Sequence, residues 1–287
     1  MELKEIRRLV IIALFSDDEL MERFVLKGGN ALDLVYGVGT RTSVDIDVSI
    51  SDDFPDWEDA QRRISRALHD RFNAAGHVVF DEKYQRRPRK VREGQDPRWG
   101  GYTVEFKIIP QDTYNSLHER LKDDPNILSR SATAIGPGQQ RVFSIDISKH
   151  EFTDAKAEVE LDEYTIYVYT LPMQAIEKLR AICQQMDEYP LRGYSTPRAR
   201  DFYDIHSIMT AGDIDITDQE NLELLHNIFA AKDVPPSLLL NIETTREFHI
   251  TDWPAVEQSV SGELKDFDFY FDYVVGLVEK LKAAGVI

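Results

Sequence analysis

The chain has 287 residues, 42% of them hydrophobic and 30% charged, enough to bury one large or two medium cores, which excludes an intrinsically disordered polypeptide. Lys and Arg number 34 against 51 Asp and Glu, a formal charge of −17, so the average field repels polyanions and attracts metal ions; any nucleic-acid contact must be local. The single cysteine, Cys183, excludes an internal disulfide framework, fits a reducing cytoplasmic setting and, sitting in an apolar helical pattern, reads as buried and inert.

Residues 2–14 carry Leu3, Ile6, Leu9, Val10 and Leu14 at helical spacing, and a second helix is predicted over 17–25. The apolar run at 9–15 is too short to cross a bilayer, and the acidic SDDEL after it offers no small-residue cleavage site, so neither a membrane span nor a signal peptide is expected. Gly28 and Gly29 then precede a short helix over 31–36, with Asn30 as its expected N-cap and Gly37 ending it. Strand 43–50 alternates without a break. Val44, Ile46, Val48 and Ile50 face one way, while Ser43, Asp45, Asp47 and Ser49 face the other, which sets both carboxylates on one surface about 7 Å apart.

A helix over 57–73 and a strand at 77–80 follow, then a basic segment, residues 83–92, read as a strand end or loop. It holds Lys83, Arg86, Arg87, Arg89, Lys90 and Arg92 with no acid among them. Strands at 101–109 and 141–148 alternate well; in the latter Phe143, Ile145 and Ile147 face inward and Asp146 lies on the polar face. A last strand at 164–170 leads through Thr170 and Pro172 into a helix running to Met186. Another helix starts near Pro197, and more continue to the last one over 268–284. The expected class is α+β, a mixed-sheet core over 1–165 followed by an all-helical domain over 166–287.

Two glycines ahead of a helix let backbone N–H groups approach an anion at the positive end of the helix dipole. Adjacent carboxylates supply the hard oxygens that Mg²⁺ takes alongside substrate phosphates, and a third permits in-line phosphoryl or nucleotidyl displacement with two metals. Alone, the polar strand face reads as solvated surface and the glycine pair as a turn. Together, with Asp146 on a later strand, they describe a nucleotidyltransferase.

LKGGNALDLVYG followed by RTSVDID resembles the opening motif of the AbiEii/AbiGii nucleotidyltransferase toxin family, in which Lys-Gly-Gly-Thr-Ala-Leu and a Tyr-Gly pair precede Arg-x-Ser-x-Asp-x-Asp. Lys178-Leu179-Arg180-Ala181 is similar to the family's lysine helix, and Arg200-Asp201-Phe202-Tyr203-Asp204 to its Arg-Asp-x-x-Asp motif. Asn30 stands where threonine is usual, and Gly29 where the wider superfamily has serine, which leaves phosphate contact there to backbone N–H groups.

The resemblance implies a polymerase-β-like core and transfer of nucleotides from an NTP, with Mg²⁺ or Mn²⁺, to an RNA acceptor such as a tRNA 3′ end. It also implies a cognate antitoxin protein. On it, Asp45 and Asp47 are metal ligands, Asp146 is the third ligand or general base with Glu105 as competitor, Lys178 contacts the triphosphate and Asp201 completes the site. Lys27, Gly28, Gly29, Asn30, Arg41 and Ser43 fall at nucleotide-binding positions. By periodicity alone Lys178 lies about 120° from its helix's buried stripe and reads as a solvated lysine, Asp201 and Asp204 read as partners of Arg198 or Arg200, and His206 as packing. Arg86, Arg87, Arg89 and Lys90 are the expected RNA phosphate contacts, with Tyr84 placed to stack on a base. Transfer to a protein or small-molecule hydroxyl, or a non-catalytic NTP-binding regulator, stand as alternatives.

Overall fold

The computed structural model describes residues 2–38, 43–88, 100–122, 124, 126–135, 139–189, 191 and 195–287. Helix α1 (Leu3–Phe15) starts on a reciprocal capping box between Glu2 and Glu5, and α2 (Asp18–Arg23) is capped by the Asp17 carboxylate, which accepts from the Leu20 N–H. The predicted second helix stops short at Arg23. Val25–Lys27 instead form β1, three residues whose strand character comes from pairing with two distant strands.

Gly28 adopts φ +70°, a conformation natural to glycine, and turns the chain straight from β1 into α3 (Gly28–Leu34). The helix therefore starts earlier than expected. Its N-cap is Lys27, which makes no side-chain capping bond, and Asn30 lies inside the first turn.

The remaining strands are β2 (Ile46–Ser49), β3 (His77–Arg87), β4 (Gly101–Pro110), β5 (Phe143–Ser148), β6 (Ala157–Leu161) and β7 (Tyr164–Val168). They form one mixed seven-stranded sheet in the order β3-β4-β5-β2-β1-β7-β6. Helix α4 (Trp57–Ala74) is capped by Asp56 and packs with α1 on one face, over Leu26, Ile46, Val48, Val104, Ile145 and Ile147. Two short helices, α5 (Gln111–His118) and α6 (Ile127–Ser131), follow β4. The sequence reading had assigned neither these nor β6.

Past β7 the described chain is helical: α7 (Leu171–Cys183), α8 (Ala199–Ala211), α9 (Gln219–Ala230), α10 (Arg246–His249), α11 (Trp253–Ser259) and α12 (Phe267–Ala283), with 3₁₀ turns between. The Thr170 hydroxyl accepts from the Met173 N–H to cap α7, with proline in its first turn as the sequence predicted. These helices bury a second apolar cluster that reaches the sheet through Val25, Leu32 and Tyr169. No helix among the described residues is long and apolar enough to cross a membrane. Cys183 is fully buried and burial pushes its thiol up, which makes it inert.

Candidate active site

Strand register assembles the site. Lys27 pairs with Asp47 across the antiparallel β1–β2 ladder, Asp47 with Asp146 across the parallel β2–β5 ladder, and Asp146 with Thr103 across β5–β4. Paired residues share a face, so these four side chains form one row on the side away from α1 and α4, strand to strand at about 4.8 Å. Glu105, paired with Ser144, lies on the same face one step along β4. Asp45 stands just ahead of the first ladder residue of β2 and is exposed.

The row is electrostatically unbalanced. Burial above all, with repulsion from Asp146 and Asp45 and against the pull of Lys27 and Arg200, pushes the Asp47 carboxyl up to about 6. Burial and Asp146 raise Asp45 as well, while Arg200 and Arg87 oppose them. Asp146 is tied differently: the Thr103 hydroxyl donates to Oδ1 at 2.8 Å, and the Arg87 guanidinium stands 3.5 Å from the same oxygen.

Gly28 is held by its surroundings. A Cβ built there would come within 2.5 Å of Asp47 Oδ2. Gly28→Ala therefore displaces Asp47 besides straining a positive φ, and we expect a loss of about 1–3 kcal/mol in urea denaturation together with loss of activity. The Gly28 N–H donates to Gln174 Oε1 at 2.9 Å, so a helix residue, not an open anion site, meets the first expected phosphate donor.

Behind the row, Lys27 is buried with Nζ 3.3 Å from Glu177 and 3.9 Å from Glu151. Glu151 also pairs with Arg180 at 2.7 Å and Lys232 at 3.6 Å. Burial alone would raise the Glu151 carboxyl, but Arg180, Lys27 and Lys232 hold it down at about 2. Lys27 thus links Asp47 to a buried ion network.

Lys178 is not solvated. Ten of the thirteen residues of α7 are buried, because α8 and α9 cover the sides the sheet leaves open, and Lys178 is only 6% exposed. Its Nζ bonds Asp201 Oδ1 at 2.9 Å and Asp204 Oδ2 at 2.8 Å. Arg198 Nε also donates to Asp201. Burial would raise Asp201, but Arg198, Lys178 and Arg200 hold it well below the carboxylate range. His206 packs edge-on against Phe269, Tyr270 and Tyr273, as its reading as a packing residue had it.

The basic run is divided by strand alternation. Lys83, Gln85 and Arg87 oppose Glu105, Thr103 and Gly101 and so share the face of Asp146, whereas Arg86 opposes Tyr102 on the other face, its guanidinium 6.0 Å from that ring's centre. Tyr84 also belongs to that other face, edge-on to Trp57 with its hydroxyl donating to Glu82 at 2.8 Å, so the expected stacking platform is a packing residue. Arg41, Arg89, Lys90 and Arg92 lie outside the described residues.

Asn30 departs most from expectation. It is fully buried; its Nδ2 donates to the Asp45 carbonyl at 2.6 Å and its Oδ1 accepts from Arg7 at 3.2 Å, so it faces the protein interior and not a nucleotide. Ser43 likewise meets Arg7, through its carbonyl. Sequence reading missed Thr103 and Arg200 as neighbours of the carboxylates, Gln174 as the partner of Gly28 and Arg7 as that of Asn30. Arg7 stands next to Arg8 in α1, and nothing local distinguishes the buried arginine from its exposed neighbour.

Hard oxygen donors and uncompensated negative charge fit a divalent cation. Among the described residues, though, no three His, Cys, Asp or Glu side chains converge to enclose one. The expected three-ligand set is a row, with Asp146 drawn toward Thr103 and Arg87. Two carboxylates are enough for an ion that completes its shell with water and substrate phosphate.

The profile of the family described as "Nucleotidyl transferase AbiEii toxin, Type IV TA system" matches residues 11–273. No curated protein sequence matches. Among solved structures, a provisionally named nucleotidyltransferase from H. pylori superposes with a TM-score of 0.50 at 14% identity, covering 98% of this chain and 93% of its own, a likeness of fold. JHP933 from Helicobacter pylori gives 0.49 at 15% identity, with 97% and 90% covered. An antigenic nucleotidyltransferase-like protein from Paracoccidioides brasiliensis gives 0.36 at 14% identity, with 81% and 89% covered.

Proposed function

Because the chain belongs to the AbiEii nucleotidyltransferase toxin family of type IV toxin–antitoxin systems, we propose that its polar sheet face binds an NTP with Mg²⁺ or Mn²⁺ and transfers a nucleotide to an RNA hydroxyl. The observation that carries this is the register that sets Asp47 beside Asp146 on one face, with Asp45 at the bend just ahead of β2. The boundary expected at 165/166 falls inside β7, so we divide the chain after that strand, into a nucleotidyltransferase core and a helical domain from α7 onward that closes the cleft.

Asp45 and Asp47 would hold the cation, whose chemistry is to neutralise the phosphates and polarise the attacked phosphorus. Asp146 accepts the proton of the attacking hydroxyl on Oδ2, since Oδ1 is engaged by Thr103 and Arg87. Arg200, whose positive charge acts on both Asp45 and Asp47, stands on α8 where the triphosphate's charge would lie. Lys178 and Asp201 enter through the buried ion triad that seats α8, and with it Arg200, over the carboxylates. Gly28, Gly29 and Lys27 form the adjoining wall. A cognate antitoxin protein is the partner that family membership implies.

Incubation with each labelled NTP, Mg²⁺ and total RNA should place label in RNA, and a tRNA 3′ end is the acceptor we expect. Label in protein or in a small molecule would transfer the reading to those acceptors. Binding of NTP without turnover would make the chain a regulator.

The docking face has its own test. Arg87→Ala should weaken RNA binding and flatten the dependence of log K on log[salt] by about 0.7 for one lost phosphate contact on a single strand. Arg86→Ala, on the opposite face, should leave that slope unchanged. Equal effects of the two would mean that RNA does not dock on the carboxylate face.

A further inference from the structure

Arg7 lies in α1, a helix otherwise buried through Ile6, Val10, Ile11 and Leu14, and is itself 5% exposed. Its guanidinium gathers three segments. Nη1 donates to Asn30 Oδ1 at 3.2 Å and to the Ser43 carbonyl at 3.1 Å, and Nη2 donates to Asp33 Oδ2 at 2.8 Å. Asn30 and Asp33 are three apart on α3 and so share one helix face.

An arginine has donors and no acceptor, so it dictates which end of the Asn30 amide it meets. The oxygen must turn to Arg7, which leaves Nδ2 to face the Asp45 carbonyl, 2.6 Å away. Asp45 precedes the β2 ladder, which first engages at Ile46, so no strand pairing holds its backbone there. Arg7 thus holds the Ser43 carbonyl and, through Asn30, the Asp45 carbonyl, at the bend that leads into β2.

We infer that Arg7 is a positioning residue for nucleotide transfer: through Asn30 it fixes the backbone of Asp45 and hence the separation of the two carboxylates. This rests on the reading of Asp45 and Asp47 as the cation-holding pair. Merely joining α1 to α3 would not require a buried charge, since apolar packing does so without desolvating a guanidinium.

The test measures Mn²⁺ binding to the full chain by electron paramagnetic resonance, beside thermal melts. Arg7→Lys keeps the charge but loses the planar fork, and is expected to weaken Mn²⁺ about tenfold; Asn30→Ser should do the same. The double variant should bind no more weakly than Asn30→Ser alone, because Arg7 reaches the Asp45 carbonyl only through Asn30. Asp33→Asn, which touches Arg7 but not Asp45, should bind Mn²⁺ as the wild type does. Equal losses from Asp33→Asn and Arg7→Lys would reduce the effect to a loosened α1–α3 contact and overturn the proposal, as would wild-type Mn²⁺ affinity in both Arg7→Lys and Asn30→Ser. Asp47→Asn separates the two readings: if it abolishes Mn²⁺ binding while Arg7→Lys and Asn30→Ser bind normally, the cation pair stands and only the role of Arg7 falls. If it too binds Mn²⁺ normally, the cation pair fails and the positioning role with it. Should Arg7→Lys fold poorly, Asn30→Ser against Asp33→Asn decides.

Discussion

We expect Asp47→Asn to cut nucleotide transfer severely while making the metal-free protein more stable. The catalytic loss follows from removing one of two carboxylates that can hold the cation; a metal's stabilisation of developing charge amounts to several kcal/mol, and each 1.36 kcal/mol is tenfold, so the rate should fall on the order of a thousandfold. The gain in stability follows from the same electrostatics. A carboxyl raised from its usual value to about 6 by burial and by Asp146 and Asp45 costs the folded state at most about 3 kcal/mol at neutral pH, less for the share of solvent it keeps.

The sign is fixed by linkage. The folded protein binds this proton more tightly than the unfolded chain does, so the Asp47 contribution to wild-type stability is most favourable below about pH 4 and is lost as pH rises through 6. In Asp47→Asn that loss is absent. Urea denaturation in a chelator between pH 4 and 7, with transfer assayed separately in Mg²⁺, checks both halves. A variant that is less stable at pH 7 and still active would remove Asp47 from the site.

Lys178→Met destabilises the fold by about 3–5 kcal/mol, because it leaves two carboxylates in a buried setting without their shared counter-ion. Arg198 still reaches Asp201, and adding Asp204→Asn to Lys178→Met, which removes one of the two carboxylates that shared the lost ammonium, should restore part of the loss. The pH behaviour is opposite in sign to that at Asp47. The Asp201 carboxyl is held below its usual range, so its contribution is complete above about pH 4 and fades as acid protonates it; the wild type should therefore lose stability on acidification more steeply than Lys178→Met. Normal stability with only NTP affinity reduced would identify Lys178 as a direct triphosphate ligand, the role the family resemblance implies, and would leave α8 seated by apolar packing.

The difference between these two sites shows how far local sequence carries. Alternation in 43–50 placed Asp47 on the polar face of β2, because a strand's period of two depends on nothing outside it, but the strand is only Ile46–Ser49, shorter than expected, and Asp45 lies at a bend before it that alternation does not govern. Family motifs identified Lys178, Asp201 and Asp204, and the i, i+3 spacing of the two aspartates put them on one helix side, where the structure has them bonded to the same ammonium group. Periodicity misjudged Lys178 because a hydrophobic stripe reports one packing face, and α7 is covered on several.

By itself the sequence determined the class of the fold, the two faces of β2, the acidic body that keeps polyanion contact local, and the residues able to carry phosphoryl chemistry. Tertiary structure decided which of those residues meet. β1 is too short to announce itself and exists through its ladders to β2 and β7. Parallel pairing of β2 with β5 set Asp146 beside Asp47 from ninety-nine positions away. Register against β4 divided a continuous basic run between opposite faces, and a single arginine in α1 oriented the Asn30 amide toward Asp45. Each of these outcomes depends on where a distant segment's hydrogen-bonding groups come to rest. Local periodicity fixes the direction of a side chain relative to its own backbone, whereas register and ion pairing are settled only when elements far apart in sequence pack together.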